Sequence, residues 1–255
     1  MKFSRVIIFF SLVFVSASTF DPALSTVKVE QLTPEAYSEK LSIYLLTSTN
    51  TGFSLPETAY QKVIQQKTLG EKTGILVSTG TNREHADTPS DINSVNTRLL
   101  KLDDTAVKKL SAKVQKGDNV IKNVESLVHK TIKKKSYGIP LVSAPKIIES
   151  GSGDCTEHTV LSVALLRSLD IPSRAIVGMV LSKRFAGKRN VFVYHMWAEA
   201  WINGKWEMVD ATRPGEKHPN RYIALAFHSL ETEAPLSYLE ALSAIKELSV
   251  TYIHQ

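Results

Sequence analysis

Cysteine is almost absent from this sequence, because its 255 residues contain a single one, Cys155. One cysteine cannot form an intramolecular disulfide, and it cannot supply a cysteine-rich zinc site. The chain also lacks internal repeats and stretches rich in glycine, serine or proline that would separate domains. With 43% hydrophobic and 22% charged residues, the composition is that of an ordinary globular protein, which excludes collagen-like, coiled-coil and wholly disordered chains.

No apolar run is long enough to cross a membrane, which requires roughly 20 residues. The N-terminal run from Val6 to Val15 is much shorter, and it follows the basic residues Lys2 and Arg5. Val15-Ser16-Ala17 then offers the small residues of a cleavage site, an order typical of an export signal. We predict a signal peptide at residues 1–17 and a periplasmic or secreted mature protein without stable membrane insertion. An uncleaved N-terminal anchor is the alternative.

The net charge of +6 is weak support for a nucleic-acid partner. Two basic clusters stand out, one at Lys130 and Lys133 to Lys135, the other at Lys183, Arg184, Lys188 and Arg189. Neither is interleaved with aromatic residues, and such clusters are typical of solvated faces. We therefore predict no nucleic-acid partner.

The chain divides into three predicted segments: the signal peptide, an N-terminal extension over residues 18–117, and a core over residues 118–255. The extension is predicted to be mainly helical, because helix-start signals occur at Thr33-Pro34 and at Ser54, Pro56 and Glu57. The predicted elements of the extension are helices from Thr33 to Leu46, from Ser54 to Leu69 and from Asp103 or Asp104 to Gln115, a strand at Gly74 to Thr79, and a loop from Gly80 to Asn96.

The second half of the chain has clearer apolar periodicity, which predicts helices packed on strands. The predicted helices are Asn119 to Lys133, Ala144 to Glu149, Cys155 to Leu169 and a C-terminal helix from Pro235 to Leu248. The predicted strands are Arg174 to Leu181, Val191 to Ile202 and Lys205 to Val209.

Asn203-Gly204 predicts a two-residue hairpin turn between the last two of these strands. Such a turn places Trp197 opposite Asp210, so that His195 lies on the same sheet face as Asp210 and is its diagonal neighbour. Diagonal side chains are close enough for an imidazole and a carboxylate to meet. The sequence therefore predicts a hydrogen bond between His195 and Asp210, which a turn one residue longer would abolish by reversing the faces.

Cys155 follows a glycine-rich turn at the start of a predicted helix, where free N–H groups and the helix dipole favour a negative charge. We expect a lowered thiol pKa there, since the thiolate is the nucleophile. The alternative is a small buried hydrophobic residue. Cys155, His195 and Asp210 together form a nucleophile, a base and an orienting acid. The backbone N–H of Cys155 is expected to hold part of the oxyanion.

Four motifs flank these residues: Gly153-Asp154-Cys155-x-Glu157, Asp170-Ile171-Pro172-Ser173-Arg174, His195-x-Trp197-x-Glu199 and Trp206-x-x-x-Asp210-x-Thr212. Over roughly Ala144 to Thr212, they resemble the core of the transglutaminase-like superfamily. The resemblance implies a papain-like α+β fold, in which the Cys-bearing helix packs on an antiparallel sheet. It also implies a Cys155, His195, Asp210 triad and thioester chemistry on amides.

Several other residues are weaker candidates. Asp154, Glu157 and Glu199 are expected to support the site, and Tyr137 and Trp197 are candidates for the oxyanion or the cleft. His158 could compete with His195 as the base, because it lies on the same helix as Cys155. Cys155, His158, His195 and Glu157 could also form a zinc set, but no spacing signature supports it. We predict neither a metal nor a cofactor.

The sequence thus predicts an exported cysteine-dependent enzyme that acts on a peptide or protein amide through a thioester at Cys155. A peptidase or amidase is favoured over a cross-linking transglutaminase. The alternative, from another class, is a non-catalytic binding or scaffold module that retains the fold.

Overall fold

The computed structural model describes residues 26–80, 87–136, 141–216, 218–228, 230–231 and 247–254. Three predictions lie outside them: the signal peptide at residues 1–17, the position of Tyr137, and nearly all of the C-terminal helix. Within the described ranges, no helix has the length and apolarity to cross a membrane.

The described residues form one large sheet with helices packed against it. The strands are β1 (Thr26–Glu30), β2 (Leu41–Ser48), β3 (Gln61–Leu69), β4 (Lys72–Gly80), β5 (Lys134–Lys135), β6 (Ser152–Gly153), β7 (Ser173–Phe185), β8 (Lys188–Ile202), β9 (Lys205–Val209), β10 (Tyr222–His228) and β11 (Leu248–Ile253). The helices are α1 (Thr105–Ser111), α2 (Val120–Thr131), α3 (Ala144–Ser150) and α4 (Cys155–Arg167). The predicted α+β class is confirmed.

The large sheet has the order β10-β7-β8-β1-β11-β2-β4-β3, and β9 pairs with β8 beside this path. Strand β1 joins its two halves, because it runs antiparallel to β8 at Thr26 and parallel to β11 at Val29. All other neighbours in this sheet are antiparallel. A separate two-stranded parallel pair, β5 with β6, lies just before α4.

The prediction of a mainly helical N-terminal extension is wrong. Thr33-Pro34 starts only a 3-10 turn over Pro34–Tyr37, and the chain then enters β2. Likewise, the segment after Pro56 becomes β3 rather than a helix. In β2, buried side chains alternate strictly with half-buried ones, which is the period of a strand. Its half-buried positions are partly apolar as well, so the alternation is weak in the sequence.

The helices predicted over 119–133 and 144–149 are confirmed as α2 and α3, with small shifts at their ends. Asp104 caps α1, its carboxylate accepting from the Ala106 backbone N–H. The twelve residues of α4 that follow Cys155 are all buried, because the helix packs against β7 and β8 on one side and against α1, α2 and α3 on the others. A helix that is apolar on most faces fits such a central position.

The predicted hairpin is confirmed in its turn and its register. Asn203 and Gly204 both have positive φ, 53° and 77°, as a type I′ turn requires. Ile202 pairs with Lys205 and Trp201 with Trp206, so the faces of β8 and β9 are those expected from the sequence.

Candidate active site

The turn before α4 presents Cys155 at the first helical position. Asp154 caps the helix, since its carboxylate accepts from the Thr156 backbone N–H at 2.8 Å, while Glu157 Oε2 accepts from the Asp154 N–H at 2.8 Å. This reciprocal arrangement satisfies two N–H groups that a helix start leaves unpaired. Gly153 is required beside it, because a Cβ there would lie 2.4 Å from the Glu157 Cβ. Burial and the Asp154 charge raise the pKa of Glu157 to about 7.

The Cys155 thiol faces β8 and is half-buried. Burial and the carboxylates of Asp154, Asp210 and Glu157 raise its pKa well above the usual value, although a hydrogen bond from the Met196 backbone acts in the opposite direction. The expectation of a lowered thiol pKa from the helix N-terminus is therefore wrong for this geometry. The physical reason is that nearby negative charges and the loss of water oppose the dipole.

His195 lies in the middle of β8, opposite Gly178 of β7. The Trp197 ring stacks on the imidazole with a centroid distance of 6.0 Å and an interplanar angle of 19°. Gly178 makes room for this packing, because a Cβ there would lie 2.8 Å from the Trp197 ring and 2.2 Å from the Ile223 carbonyl oxygen. The orientation of His195 is thus held by a tryptophan that needs a glycine on the neighbouring strand.

Asp210 follows β9 and accepts four hydrogen bonds. Its Oδ2 accepts from His195 Nε2 and from the Tyr222 hydroxyl, both at 2.8 Å. Its Oδ1 accepts from the Thr212 backbone N–H at 3.0 Å and from the Thr212 hydroxyl at 2.6 Å. Burial alone would raise the pKa of this carboxyl, but His195, Thr212 and Tyr222 more than offset it and hold the pKa below its usual range.

The bond from Nε2 leaves His195 Nδ1 as the nitrogen available to a thiol. In a neutral imidazole that donates its Nε2–H to Asp210, Nδ1 carries the lone pair. The backbone of Asp210 is held as well, since its N–H donates to Glu125 Oε1 at 2.9 Å from helix α2.

Cys155 and His195 line one cavity of about 330 Å³. Asp210 is not among its lining residues and lies behind His195, where 2% of it is exposed. One part of the lining is apolar, with Val180, Phe185, Val193 and Tyr194. The remaining lining residues are His129, Ile132, Lys133, Lys134, Lys135, Gly153, Asp154, His158, Thr212 and Arg213.

Two of the weaker candidates lie away from the cavity. Trp197 does not line it, so the suggested cleft role is wrong; its ring is buried behind His195 among Tyr222 and other aromatic side chains. Glu199 is fully buried and pairs with Arg174, whose Nε is 2.8 Å from Glu199 Oε2. Arg174 also pairs with Asp87 and lies 4.1 Å above the Trp206 ring. Glu199 therefore supports the strand packing.

His158 lines the cavity, but its Nδ1 is 2.6 Å from the Asp154 carbonyl oxygen, to which it donates. Burial lowers the pKa of His158, so it is neutral at pH 7. Within the part of the chain that the structure describes, no carboxylate is hydrogen-bonded to the His158 ring. Among the described residues, no group of three or more histidine, cysteine, aspartate or glutamate side chains is placed to hold a metal ion.

Sequence reasoning missed Tyr222 and Glu125, which both bind Asp210. Tyr222 lies on β10, which β7 and β8 separate from β9 in the sheet order, although the tyrosine follows Asp210 by only 12 residues along the chain. Glu125 lies among apolar residues of α2 and is 1% exposed. A glutamate on the apolar face of a helix is the one local signal that pointed to a buried partner.

Comparison with known proteins identifies the family of the segment that carries this site. Residues 104–211 match the family model described as the transglutaminase-like superfamily. The resemblance drawn from the motifs is confirmed over these residues. No curated protein matches the chain in sequence.

Three solved structures illustrate the likeness. A candidate cysteine protease from Cytophaga hutchinsonii is 16% identical, with 90% of this chain and 85% of that chain covered and a TM-score of 0.50. The periplasmic domain of TgpA from Pseudomonas aeruginosa is 15% identical, with 74% and 73% covered and a TM-score of 0.46. Red sea bream transglutaminase is 11% identical, with 74% and 48% covered and a TM-score of 0.33. The first of these likenesses supports the fold alone.

Proposed function

We propose that this chain, whose residues 104–211 form a transglutaminase-like core, is a cysteine-dependent hydrolase of peptide or isopeptide amides. Cys155 is its nucleophile, His195 its base and Asp210 the acid that orients the base. One observation carries the proposal: Cys155 and His195 line the same cavity, while Asp210 binds the imidazole nitrogen that a thiol would not use. This is the arrangement that nucleophilic catalysis by a thiol requires.

In the first half-reaction, Cys155 Sγ attacks the amide carbonyl carbon while its proton passes to His195 Nδ1. Because burial and carboxylates raise the thiol pKa, the proton leaves during the attack and not before it. His195 then donates this proton to the amide nitrogen, the C–N bond breaks, and the amine departs. The acyl group remains on Cys155 as a thioester, and Asp210 stabilises the transient imidazolium.

In the second half-reaction, water attacks the thioester and gives a proton to His195. The C–S bond breaks, the carboxylic acid is released, and the proton returns to the sulfur. The backbone N–H of Cys155, at the N-terminus of α4, is the proposed donor to the oxyanion in both steps. An amine could replace water at the same thioester, but hydrolysis requires no second substrate site and is the simpler proposal.

The proposal is tested by mass spectrometry of the protein quenched in acid during turnover of a mixture of peptides. Because the chain has one cysteine, an acyl adduct that disappears in Cys155→Ala is assigned without ambiguity. We expect the adduct and peptide hydrolysis in the wild type. In Cys155→Ala, hydrolysis falls at least about a thousandfold. Unchanged hydrolysis in Cys155→Ala would overturn the proposal.

A second candidate is a non-catalytic binding or scaffold module, and the raised pKa of the Cys155 thiol favours it. Alkylation by iodoacetamide across pH 6 to 10 separates the two functions. A catalytic thiol reacts at pH 7 and slows in His195→Ala, because the imidazole accepts its proton. A structural thiol reacts slowly, with the same pH profile in both proteins.

We also propose that the protein is exported and cleaved after Ala17. Support comes from the order of basic, apolar and small residues at the N-terminus. The intact mass of protein purified from expressing cells tests this proposal. A full-length mass in the membrane fraction would favour the uncleaved anchor.

A further inference from the structure

The cavity that contains Cys155 has an uneven distribution of charge. Four cationic side chains line it, Lys133, Lys134, Lys135 and Arg213, while the one carboxylate in the lining is Asp154. That carboxylate is engaged at the start of α4, where its Oδ1 accepts from both the backbone and the hydroxyl of Thr156. The cations therefore dominate the charge that a substrate meets.

The lysine segment is fixed next to the nucleophile. Lys134 and Lys135 form β5, which pairs with β6, and Lys135 is the partner of Gly153, two residues before Cys155. The backbone N–H groups of Lys133 and Lys134 both donate to the Gly151 carbonyl oxygen at 3.0 Å. The position of these lysines thus follows from the same turn that presents the thiol.

Arg213 belongs to the same wall, although it comes from a distant part of the chain. It follows Asp210 by three residues, and its segment is tied to α2 because His129 Nδ1 is 3.0 Å from the Ala211 carbonyl oxygen. Lys133 follows His129 by four residues and lies just beyond the end of α2. We call the surface formed by Lys133, Lys134 and Arg213 the basic wall.

None of the three side chains of the basic wall forms an ion pair with a carboxylate of the described residues. Lys133 and Lys134 are exposed, and Arg213 is half-buried. Of the other carboxylates nearby, Glu157 and Asp210 are only 4% and 2% exposed, while Glu216, whose backbone N–H donates to the Arg213 carbonyl oxygen at 3.1 Å, is exposed but does not line the cavity. Clustered cations beside a cleft raise the local concentration of anionic ligands.

We propose that the substrate is an acidic peptide whose carboxylates contact the basic wall while its scissile amide lies at Cys155. This inference rests on the proposed function, because it identifies the substrate class of the same site. Carboxylates flanking the amide would pair with Lys133, Lys134 and Arg213. The apolar side of the cavity, with Phe185 and Tyr194, would contact the rest of the peptide.

Binding to the Cys155→Ala protein tests the inference without requiring turnover. The probe is a fluorescein-labelled peptide of alternating glutamate and alanine, and the reference is the same peptide with glutamine for glutamate. Fluorescence anisotropy at low ionic strength should give at least about tenfold tighter binding of the glutamate peptide. The difference in affinity between the two peptides should decrease as added salt shortens the screening length to about 8 Å at physiological ionic strength.

Substitutions locate the binding. Lys133→Gln, Lys134→Gln and Arg213→Gln should each weaken the glutamate peptide about two- to fivefold, the usual effect of one exposed ion pair. The matched control is the double variant Lys109→Gln/Lys113→Gln, which removes two exposed lysines that do not line the cavity. Its affinity should equal that of the parent.

Equal affinity for the two peptides would overturn the inference, as would an equal loss in the control variant. Tighter binding of a single-stranded oligonucleotide through the same three residues would also overturn it, in favour of a nucleic-acid ligand. Turnover by the wild type separates the two proposals. Cleavage of both peptides at one rate refutes the acidic preference and keeps the hydrolase, whereas glutamate-specific binding with no cleavage of these peptides or of the peptide mixture supports the basic wall and refutes the hydrolase.

Discussion

Glu199 on β8 and Asp210 just after β9 are both buried carboxylates, but their pKa values are shifted in opposite directions. Asp210 is 2% exposed and accepts four hydrogen bonds, and its pKa is held below the usual range. Glu199 is fully buried and accepts from Arg174 through Oε2, while its Oε1 has no hydrogen-bond partner within the described ranges. Its pKa is raised to about 7, because burial outweighs the attraction of Arg174.

Because both carboxylates are buried, the difference follows from the groups that face them, which are His195, Thr212 and Tyr222 at Asp210 and Arg174 at Glu199. Each hydrogen bond donated to a carboxylate favours the ionised form, and each buried lone pair without a hydrogen bond disfavours it. Asp210 is therefore suited to stabilise a positive imidazole during a reaction. Glu199 pairs with a cation that is also held by Asp87 and by aromatic rings, so it can lose its charge without loss of the fold.

The largest expected effect comes from removing each charge separately. Asp210→Asn should lower the rate of peptide hydrolysis by about 10² to 10⁴-fold, because an amide neither supports the imidazolium nor fixes the same imidazole tautomer. Glu199→Gln is the matched control, since it also neutralises a buried carboxylate on this sheet. Its rate should stay within about threefold of the wild type.

Steady-state kinetics with one peptide substrate measures both rates. Equal losses in the two variants would mean that any buried charge in this sheet supports the site, and the distinction between the carboxylates would fail. Circular dichroism of both variants checks that the fold is retained.

The next effect concerns the donors of Asp210. Tyr222→Phe removes one of four hydrogen bonds, so the pKa of Asp210 should rise towards its usual value. We expect a rate close to that of the wild type at pH 7 and a loss of about twofold or more only below about pH 4, because a carboxyl at its usual pKa of about 3.9 is still ionised at pH 5. The control is Tyr44→Phe, which loses a buried hydroxyl bonded to the Asn220 carbonyl oxygen. An unchanged profile in Tyr222→Phe, or the same shift in Tyr44→Phe, would contradict the assignment.

Stability should respond to pH with opposite signs at the two carboxylates. The folded pKa of Glu199 is about 7, above the unfolded value of about 4.3, so the folded state binds a proton that the unfolded state releases between these values. Stability is therefore lost as the pH rises through this window. For Asp210, with its lowered folded pKa, stability is present above about pH 4 and lost as the pH falls below it.

Residue 199 cannot titrate in the Glu199→Gln variant. The Tm of the variant minus that of the wild type should therefore increase by several degrees from pH 5 to pH 8. Scanning calorimetry at both pH values measures this difference. Glu157, which also has a raised pKa, is present in both proteins and cancels. A relative Tm that falls with pH would mean that Glu199 remains ionised and that Arg174 outweighs burial.

Only part of the contrast between the two carboxylates could be predicted from the sequence. The His195–Asp210 bond follows from the Asn203-Gly204 turn, because the turn sets the register and alternation sets the face. Glu199 was expected to be a supporting residue, but the sequence did not indicate its pairing with Arg174 on the neighbouring strand. Tyr222 lies on β10, and two strands, β7 and β8, stand between it and β9 in the sheet. No local pattern connects it with Asp210.

The N-terminal strands were missed for a different reason. Thr33 and Pro34 carry a helix-start signal that a four-residue 3-10 turn satisfies. In β2, Ile43 and Leu45 occupy the half-buried face, so both faces are partly apolar and the strand period is blurred. Strand β1 extends the sheet next to β8 by pairs that are distant in sequence. Long-range pairing of this kind has no local signature, whereas α2, α3 and the hairpin turn are decided by residues close in sequence.

The smallest expected effect concerns the turns of two hairpins, one beside the His195–Asp210 pair and one in the hairpin that contains the Arg174–Glu199 pair. Gly204 closes β8 onto β9 and sets the register of Asp210, while Gly187 closes β7 onto β8, where Arg174 faces Glu199. Both have left-handed φ values, 77° and 78°, with no atom within 4 Å of an added Cβ.

Alanine at either position meets the same backbone penalty of about 1 kcal/mol and no clash. Gly204→Ala and Gly187→Ala should therefore each lower Tm by about 2 to 4 °C, measured by calorimetry, with little change in hydrolysis at 25 °C. Equal losses would show that the turns contribute only their own strain, and that four hydrogen bonds hold Asp210 in place once the hairpin forms. A clearly larger loss of Tm and of rate in Gly204→Ala would mean that the turn itself keeps Asp210 against His195, and the hydrogen-bond count would no longer explain the contrast between the two carboxylates.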